Sequence, residues 1–351
     1  MTKTRRLRFG VIGAGGIADR RTLPGILKSE HAALAAVMNP KEADARRLLE
    51  KYGAQAAYTD AKALAEDPAV EAVYIASPVG EHLRQGLLVC AAGKPLLIEK
   101  PLALNCKEGQ QIIAAFAQKG LPLAAGFMMR FGAHTRRMRA LFQAGEIGPL
   151  VSAYARFSCW YPQIPGAWRQ RPETAGGGAL MDMGVHVIDL ITWMAKSPVR
   201  QVMAMQDNQT FHYPVEDAAC VLMRLENGAL CTVQSHFNIP DEAADWRLDL
   251  FGTRGCLLGP GILGQADGGQ LQLHSLKETG GYNSRQDGGP PSLTSVPGDF
   301  GDLYAREIDS FSLSVLRGKP LEAPAEDALL AQRVVEAAYR SQREGVMVTL
   351  D

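Results

Sequence analysis

The 351-residue sequence lacks several features that mark large classes of protein. Lys and Arg together number 37, as do Asp and Glu, so the chain has no net charge at neutral pH. Without excess positive charge, it lacks the field that drives non-specific binding to nucleic acid, and we expect no nucleic-acid partner. No apolar run of about 18 residues is uninterrupted, so hydropathy predicts no membrane-spanning helix and no membrane partner.

Metal and export signals are also lacking. The six cysteines form no Cys-x-x-Cys pair and have no metal-like spacing, so we interpret them as reduced core thiols and expect no metal site. Arg5-Arg6 before an apolar segment imitates a twin-arginine export signal. The same segment is needed for the first predicted strand. We therefore reject a cleaved signal and expect a cytoplasmic protein.

What is present indicates two globular domains. At about 150 residues per domain the length predicts two, and 46% hydrophobic with 21% charged residues is ordinary for globular proteins. In the first part, strand patterns alternate with helical patterns, which predicts parallel βαβ units of the α/β class. Strands are predicted at 8–12, 34–38, 70–76, 96–98 and 121–126, with helices to about 28, at 41–51 and at 81–92.

After residue 150, strand patterns dominate. They fall at 151–157, 199–206, 218–225, 229–237 and 246–251, and helices return at 303–316 and 325–343. Asn227-Gly228 is a strong hairpin signal, so we predict an antiparallel sheet in an α+β domain. The Gly- and Pro-rich residues 259–297 predict a long excursion with little packed structure, as a lid or an interface arm. The predicted domains are 1–125 and 126–351.

A glycine turn follows the first strand. In Gly13-Ala14-Gly15-Gly16-Ile17-Ala18, Gly13 permits a tight turn, Gly15 lets the backbone approach a pyrophosphate, and Ala18 allows close packing. The alternative is a purely structural turn. Asn39 stands where an acid commonly binds the ribose 2′-hydroxyl, and Lys41 is near enough to attract a 2′-phosphate. NAD and NADP therefore both stay open, with NAD slightly favoured.

Two further motifs carry chemistry. Glu99-Lys100-Pro101 ends a predicted parallel strand, where Lys100 could stabilise a substrate alkoxide, unless the pair is only a strand-end salt bridge. Three glycines at 176–178 precede a helix on which Asp182 and His186 lie one turn apart. A carboxylate there could orient the imidazole as a base. The alternatives are a helix N-terminal acid with a core histidine or, less favoured, a metal site.

The order and spacing of these motifs resemble the Gfo/Idh/MocA family of nicotinamide-dependent sugar and polyol oxidoreductases, nearly end to end. The resemblance also rests on Ser77-Pro78, His82, Gly93-Lys94, Gly126, Arg130 and Trp168-Arg169. It implies an N-terminal Rossmann domain with a doubly wound parallel sheet, and a C-terminal domain with a large open, mostly antiparallel sheet. That sheet would support the substrate pocket and pack in a homodimer or homotetramer.

The resemblance implies a catalytic set of Lys100, Asp182 and His186. The expected cofactor-binding residues are Gly13, Gly15, Gly16, Ile17, Ala18, Asn39, Ser77, Pro78, His82, Glu99, Lys100, Arg130, Trp168 and Arg169. The expected substrate-binding residues are Lys100, Arg130, Trp160, Asp182, His186 and His236, and Met129, Phe131, Tyr161 and Asn238 could also surround a sugar ring. Asn39 in place of the family's frequent acid, and Val79-Gly80 in place of an asparagine-containing step, are departures.

The expected reaction oxidises a carbohydrate hydroxyl. His186 would take the hydroxyl proton while hydride moves to nicotinamide C4, Asp182 would orient the imidazole, and Lys100 would stabilise the oxyanion. Two alternatives stay open. One is a glycosidase that retains NAD and oxidises a sugar carbon transiently, and the other is a sugar- or nucleotide-sensing protein without turnover.

Overall fold

The computed structural model describes residues 5–277, 280–285 and 290–350. Its N-terminal domain is built on a six-stranded parallel sheet with the order β3-β2-β1-β4-β5-β6. The strands are β1 Leu7–Ile12, β2 Ala32–Met38, β3 Ala56–Tyr58, β4 Ala72–Ile75, β5 Leu96–Glu99 and β6 Leu123–Gly126. The helices are α1 Leu23–Lys28, α2 Glu42–Tyr52, α3 Ala61–Glu66, α4 His82–Ala91 and α5 Cys106–Lys119.

This order confirms the predicted Rossmann domain. The chain winds in opposite directions on either side of the boundary between β1 and β4, so a crevice opens beyond the carboxyl ends of these two strands. β1, β4 and β5 are almost wholly buried, as expected for parallel strands covered on both faces.

The C-terminal domain contains a nine-stranded sheet with the order β14-β13-β12-β11-β7-β10-β9-β8-β15. The strands are β7 Leu150–Ser158, β8 Val199–Asp207, β9 Ala218–Leu225, β10 Leu230–His236, β11 Arg247–Gly252, β12 Gly255–Gly259, β13 Leu271–Ser275, β14 Thr294–Val296 and β15 Val348–Thr349. The helices are α6 Ala133–Gln143, α7 Pro172–Ala175, α8 Val185–Ala195, α9 Leu303–Arg317 and α10 Ala325–Glu344. Every neighbouring pair is antiparallel except β7 with β10, which confirms a mostly antiparallel sheet.

One face of this sheet is covered by α8 and α10. The other face is exposed, and apolar side chains point outward from it at alternating positions along the central strands. The exposed apolar residues on it are Val151, Met203, Met205, Leu222, Leu230 and Phe251. We call this set the open apolar face.

Residues 259–297 contain more packed structure than the sequence predicts. β13 pairs with β12, and β14 pairs with β13, so the excursion extends the sheet by two strands. Short strands of mixed polarity give little periodic signal, and their pairing depends on the edge that β12 offers. Residues 278–279 and 286–289 of the excursion lie outside the described residues.

Helix α9 returns to the N-terminal domain. The ring of Phe311 lies 5.9 Å from that of Phe9 on β1, and Ile308 and Phe311 belong to the same buried cluster as Leu23 and Ile26. A carboxylate oxygen of Asp309 accepts hydrogen bonds from Ser29 and from the backbone N–H of His31. Residues beyond 300 therefore complete the core of the Rossmann domain.

Among the described residues, the segment Pro172–Ala195 is long and apolar enough to cross a membrane by length and composition alone. Of its most apolar stretch, 78% is buried inside the protein. Its apolar residues pack against β7 and β10 of the nine-stranded sheet and against α10, so the segment belongs here to the protein core.

Candidate active site

A cleft of about 410 Å³ lies between the domains, at the carboxyl ends of the central parallel strands. The structure brings together eight of the residues predicted for the site. They are Ile17, Ser77, Glu99, Lys100, Trp168, Arg169, Asp182 and His186. The cleft therefore joins the strand-end motif at Lys100 to the glycine-preceded helix of the second domain.

The glycine turn fits a bound dinucleotide. Gly13 has φ +76°, and a Cβ there would lie 2.5 Å from the backbone nitrogen of Ser77, so only glycine brings β1 this close to β4. Gly16 has φ +46°, with open space where its Cβ would point. A Cβ on Gly15 would have the Asn39 amide nitrogen as its nearest neighbour, at 3.2 Å. The turn thus presents bare backbone at a helix start, which suits a pyrophosphate.

Asn39 lies at this turn, directly after β2. Its Nδ2 donates to the carbonyl oxygen of Ala14 (2.7 Å), and its Oδ1 accepts from the backbone N–H of Lys41 (2.9 Å). The side chain therefore holds the turn in shape without adding a negative charge. Because position 39 holds an amide and not a carboxylate, it does not repel a 2′-phosphate.

His82 and Pro78 lie outside the cleft lining, and His82 supports the crevice from there. The buried His82 ring lies 3.0 Å from the carbonyl oxygen of Ser77 through Nε2 and 3.1 Å from that of Pro101 through Nδ1. Burial lowers the pKa of His82. The ring links the chain after β4 to the chain after β5, so we infer that His82 positions both Ser77 and Lys100.

Lys100, Asp182 and Arg169 form an ion-pair network in the cleft. Nζ of Lys100 donates to Oδ1 of Asp182 (2.8 Å) and to its carbonyl oxygen (2.7 Å), and Nε of Arg169 lies 3.4 Å from the same Oδ1. Burial disfavours a charged Asp182, but the two cations outweigh it and hold its pKa well below the usual range. Asp182 is therefore a carboxylate at all ordinary pH values.

The turn that carries Asp182 is fixed by Glu216. The carboxylate of Glu216 accepts hydrogen bonds from the backbone N–H groups of Gly178 and Leu180, both at 2.9 Å, and from the hydroxyl of Tyr339 (2.8 Å). At Gly178 a Cβ would lie only 2.0 Å from the carbonyl oxygen of Glu216. The glycines before the helix thus bring its first turn against the β8–β9 connection.

His186 is a neutral imidazole on α8. Its Nδ1 is buried without a hydrogen-bond partner among the described residues, and its ring packs edge-on against Phe127 and Phe157. Burial and the nearby Lys100 lower its pKa well below the usual value, although Asp182 opposes this. At neutral pH His186 can therefore accept a proton from a group in the cleft.

The sequence predicts that Asp182 orients the His186 imidazole, but no hydrogen bond joins the two side chains among the described residues. Within the described residues Asp182 binds Lys100 and Arg169 instead. Asp182 lies in a π-helical turn, Leu180–Gly184, which leads directly into α8. The direct polar contacts of Asp182 in this structure are therefore with the two cations.

Three predicted site residues lie away from the cleft. Arg130 is buried, and its guanidinium is paired with Asp189 on α8 and with Asp327 on α10. Its two carboxylate partners explain how a guanidinium can be buried away from the cleft. Trp160 is half-exposed and packs on Phe211, and His236 ends β10 without lining the cleft.

Of the residues that could surround a sugar ring, some line the cleft and others lie outside it. Tyr161 lines the cleft together with Trp168, whose ring stacks with the Arg169 guanidinium at 4.3 Å. Met129 and Phe131 are core residues, and the Asn238 amide is bonded to Asp217.

Sequence reasoning missed several cleft residues. They are Arg20, Arg21, Met128, Phe157, Trp246, Gln265 and Tyr304. Only the arginines carried a usable signal, since they follow the glycine turn by a few residues. Gln265 and Tyr304 come from segments more than 100 residues from the Lys100 motif, and no local pattern marks them.

Together, the fold and the cleft define a class. A Rossmann sheet that presents a glycine turn and a lysine directly after β5, with a neutral histidine brought to the same crevice by a second domain, is typical of a nicotinamide-dependent oxidoreductase. Two family models match this chain: "Oxidoreductase family, NAD-binding Rossmann fold" over residues 7–127 and "GFO/IDH/MocA C-terminal domain" over residues 135–258. The chain belongs to the Gfo/Idh/MocA family, as its sequence motifs predict.

Individual relatives agree in length as well as in fold. The chain is 27% identical to D-xylose 1-dehydrogenase (NADP(+)) 2 of Haloferax volcanii, over 98% of this chain and 100% of that protein. It is also 27% identical to myo-inositol 2-dehydrogenase of Thermotoga maritima, over 98% and 99%. The crystal structure of aldose-aldose oxidoreductase from Caulobacter crescentus, complexed with glycerol, superposes with a TM-score of 0.87, 25% identity and coverage of 99% and 100%. The chain is thus an NAD(P)-binding oxidoreductase of a family whose members act on sugars and polyols.

Proposed function

We propose that this protein transfers hydride between NAD or NADP and a carbinol carbon of a sugar, polyol or related carbohydrate. The observation that carries the proposal is the cleft itself. There, a neutral His186 and the ammonium of Lys100 lie at the carboxyl edge of the Rossmann sheet. Base and cation together match an alcohol oxidation, in which a proton leaves an oxygen that becomes negative.

Each residue then has a distinct role. With its pyrophosphate at the glycine turn, a bound cofactor would supply the hydride acceptor or donor through its nicotinamide ring. His186 holds the hydroxyl proton in the oxidation direction and returns it in the reduction direction. Lys100 stabilises the developing oxyanion, and Asp182 keeps its ammonium in the cleft through two hydrogen bonds. Trp168, Tyr161 and Trp246 supply ring surfaces against which a sugar can pack.

The cofactor proposal is NAD or NADP, with NAD slightly favoured. Asn39 places a neutral amide where the ribose of a dinucleotide would lie, and the neighbouring Lys41 is positive. Neither side chain repels a 2′-phosphate, so both cofactors are compatible with this end of the crevice. Titration of each cofactor against the same substrate separates them.

The test is a spectrophotometric screen of sugars, inositols and sugar acids with NAD and with NADP. For a substrate found this way, we expect His186→Ala to lower kcat by about 100- to 10,000-fold, because a general base is lost. Lys100→Met should lower kcat about 100- to 1,000-fold. The control is His212→Ala, since His212 is exposed and outside the cleft.

Three results would contradict the proposal. Wild-type turnover by His186→Ala would remove the assigned base. Sugar release without net NADH formation would indicate the redox-neutral glycosidase, and tight nucleotide binding without turnover across the panel would indicate a sensing protein.

We also propose that the protein is a homodimer or homotetramer that buries the open apolar face. Six apolar side chains lie on one side of neighbouring strands, and Met205 there is 76% exposed. A contiguous exposed apolar surface of this kind commonly marks a protein interface.

A further inference from the structure

A second cavity, of about 490 Å³, lies at the opposite end of α8 from His186. We call it the distal cavity. It is formed between α6, the end of α8, α10 and β15, and it does not share a lining residue with the active-site cleft. Its lining is rich in cations, among them Arg139, Lys196 and Arg200, while its acidic residues are Glu226 and Asp327.

Arg139 carries a positive charge that no carboxylate of the described residues contacts directly, although Glu322 and Asp327 attract it from farther away. Its guanidinium stacks on the ring of Trp193 at 4.2 Å, its Nε is buried without a hydrogen-bond partner, and it forms no ion pair within those residues. Burial lowers the pKa of Arg139, and the charge of Arg130 lowers it further. The nearby Glu322 is engaged by Arg136 at 2.7 Å.

Arg130 provides a contrast on the same wall. Its guanidinium is paired with Asp189 and Asp327, so its charge is already balanced. Stacking on Trp193 offsets only part of the cost of holding Arg139 there, because a ring quadrupole is a weaker partner than an anion. Within the described part of the chain, Arg139 thus offers the cavity a planar cation that no anion of the protein pairs.

Part of the remaining wall is apolar. Leu330 and Val334 of α10 and Leu350 face the cavity together with Trp193. We propose that the distal cavity binds an organic anion, in which a carboxylate or phosphate pairs with Arg139 and a ring or hydrocarbon body packs against this wall. The site is separate from the cofactor and substrate cleft, so it would let the protein respond to a second small molecule.

The experiment is calorimetric titration of the full chain at low ionic strength. The probes are benzoate and phenyl phosphate, with benzamide as the neutral counterpart and inorganic phosphate as the anion without a body. We expect benzoate or phenyl phosphate to bind saturably and about tenfold or more tightly than either comparison compound. The ratio between benzoate and phenyl phosphate then tells a carboxylate site from a phosphate site.

Variants locate the binding. Arg139→Gln should weaken it about tenfold or more, while Arg137→Gln, on the exposed side of α6, and Lys100→Met, in the cleft, should leave it within about twofold. If Arg139→Gln does not fold, Arg139→Lys tests the same point, because it keeps the charge but loses the planar fork. We expect weaker binding there too.

The proposal is overturned if neither anion binds saturably or if benzamide binds as tightly. It is also overturned if Lys100→Met abolishes binding, which would place the anion in the cleft, or if folded Arg139 variants bind as the wild type does.

Discussion

The carboxylate of Asp182 lies between Lys100 and Arg169, and this sets the charge of the cleft. Two cations share one anion beside a neutral imidazole, so the lining keeps a local positive charge where an oxyanion would form. His186 is kept neutral by burial and by Lys100. The proposed base and the proposed oxyanion stabiliser therefore depend on each other electrostatically.

This coupling predicts the behaviour of Asp182→Asn. Because Asp182 raises the pKa of His186 and Lys100 lowers it, the variant should lower the pKa of His186 further. The acid limb of the kcat/KM profile should move to lower pH, and kcat should fall about tenfold or more as Lys100 loses its anchor. The pH profiles of wild type and variant are the measurement. An unmoved acid limb would show that His186 does not titrate in that limb.

Glu307 on α9 is a buried carboxyl outside the cleft lining. It is 2% exposed, and neither of its oxygens has a hydrogen-bond partner among the described residues. Burial, followed by the charge of Glu99, raises its pKa well above the usual value, so the folded protein keeps it protonated. In the unfolded chain it ionises above about pH 4.3, so this residue costs stability as the pH rises through that value.

Glu307→Met should therefore stabilise the protein by about 1–3 kcal/mol at pH 7.5, and less at pH 4.5. Thermal unfolding of both forms at the two pH values measures this difference. Glu326→Met is the control, since Glu326 is exposed at the start of α10 and should change stability by less than about 0.5 kcal/mol. Equal destabilisation at both pH values would show that Glu307 has a partner.

The central residues of the site were predictable, and others were not. Lys100, Asp182 and His186 stand in motifs whose position after a strand or before a helix carries chemical meaning. Arg130 also stands in a motif, but its role depends on Asp189, which reaches it only through packing. Tyr304 reaches the cleft because α9 packs against the N-terminal domain. The sequence around Tyr304 does not predict this contact, because the contact depends on residues far away in the chain.

At the level of elements, the turn before α8 holds the site together. The backbone of Gly178 lies against Glu216, whose carboxylate fixes two backbone N–H groups of the turn. The π-helical turn then presents the side chain and the carbonyl oxygen of Asp182 to the same ammonium. The geometry of this turn therefore requires glycine at position 178, because any side chain there would collide with the carbonyl oxygen of Glu216.

Gly178→Ala should destabilise the protein by about 1–3 kcal/mol, because a Cβ 2.0 Å from the Glu216 carbonyl oxygen forces the backbone to move. Since Asp182 moves with the turn, kcat/KM should fall as well. Gly268→Ala is the control, because nothing lies within 4 Å of a Cβ there. Thermal unfolding and steady-state kinetics are the measurements, and wild-type values for Gly178→Ala would show that the close approach is dispensable.

Elements with a strong period were predictable, and edge elements were not. The buried runs of β1, β2 and β4 and the hairpin signal Asn227-Gly228 are visible in the chain. β3, of three residues, and β14, also of three, are strands only because a neighbouring edge accepts them. In α5, which packs against α4 and α10, and in α6, which packs against α8 and β12, polar residues interrupt the apolar period, so the sequence pattern does not predict these helices.

For the whole molecule, the open apolar face predicts the assembly. The double variant Met205→Lys with Leu222→Lys should dissociate the oligomer to a species of 37.9 kDa, because two charges would be buried without partners. Light scattering after gel filtration is the measurement. Leu27→Lys, at an exposed leucine of α1, should leave the mass unchanged. A monomeric wild type would contradict the proposed interface.

Helix α9 has a consequence for the order of events during synthesis. The N-terminal sheet leaves the ribosome first, yet Phe9, Leu23 and Ile26 wait for Ile308 and Phe311 to cover them. At usual rates of translation that delay is on the order of 10 s, and during it the apolar surface formed by these residues stays exposed to solvent. The nascent chain therefore exposes an apolar surface that α9 covers in the finished protein.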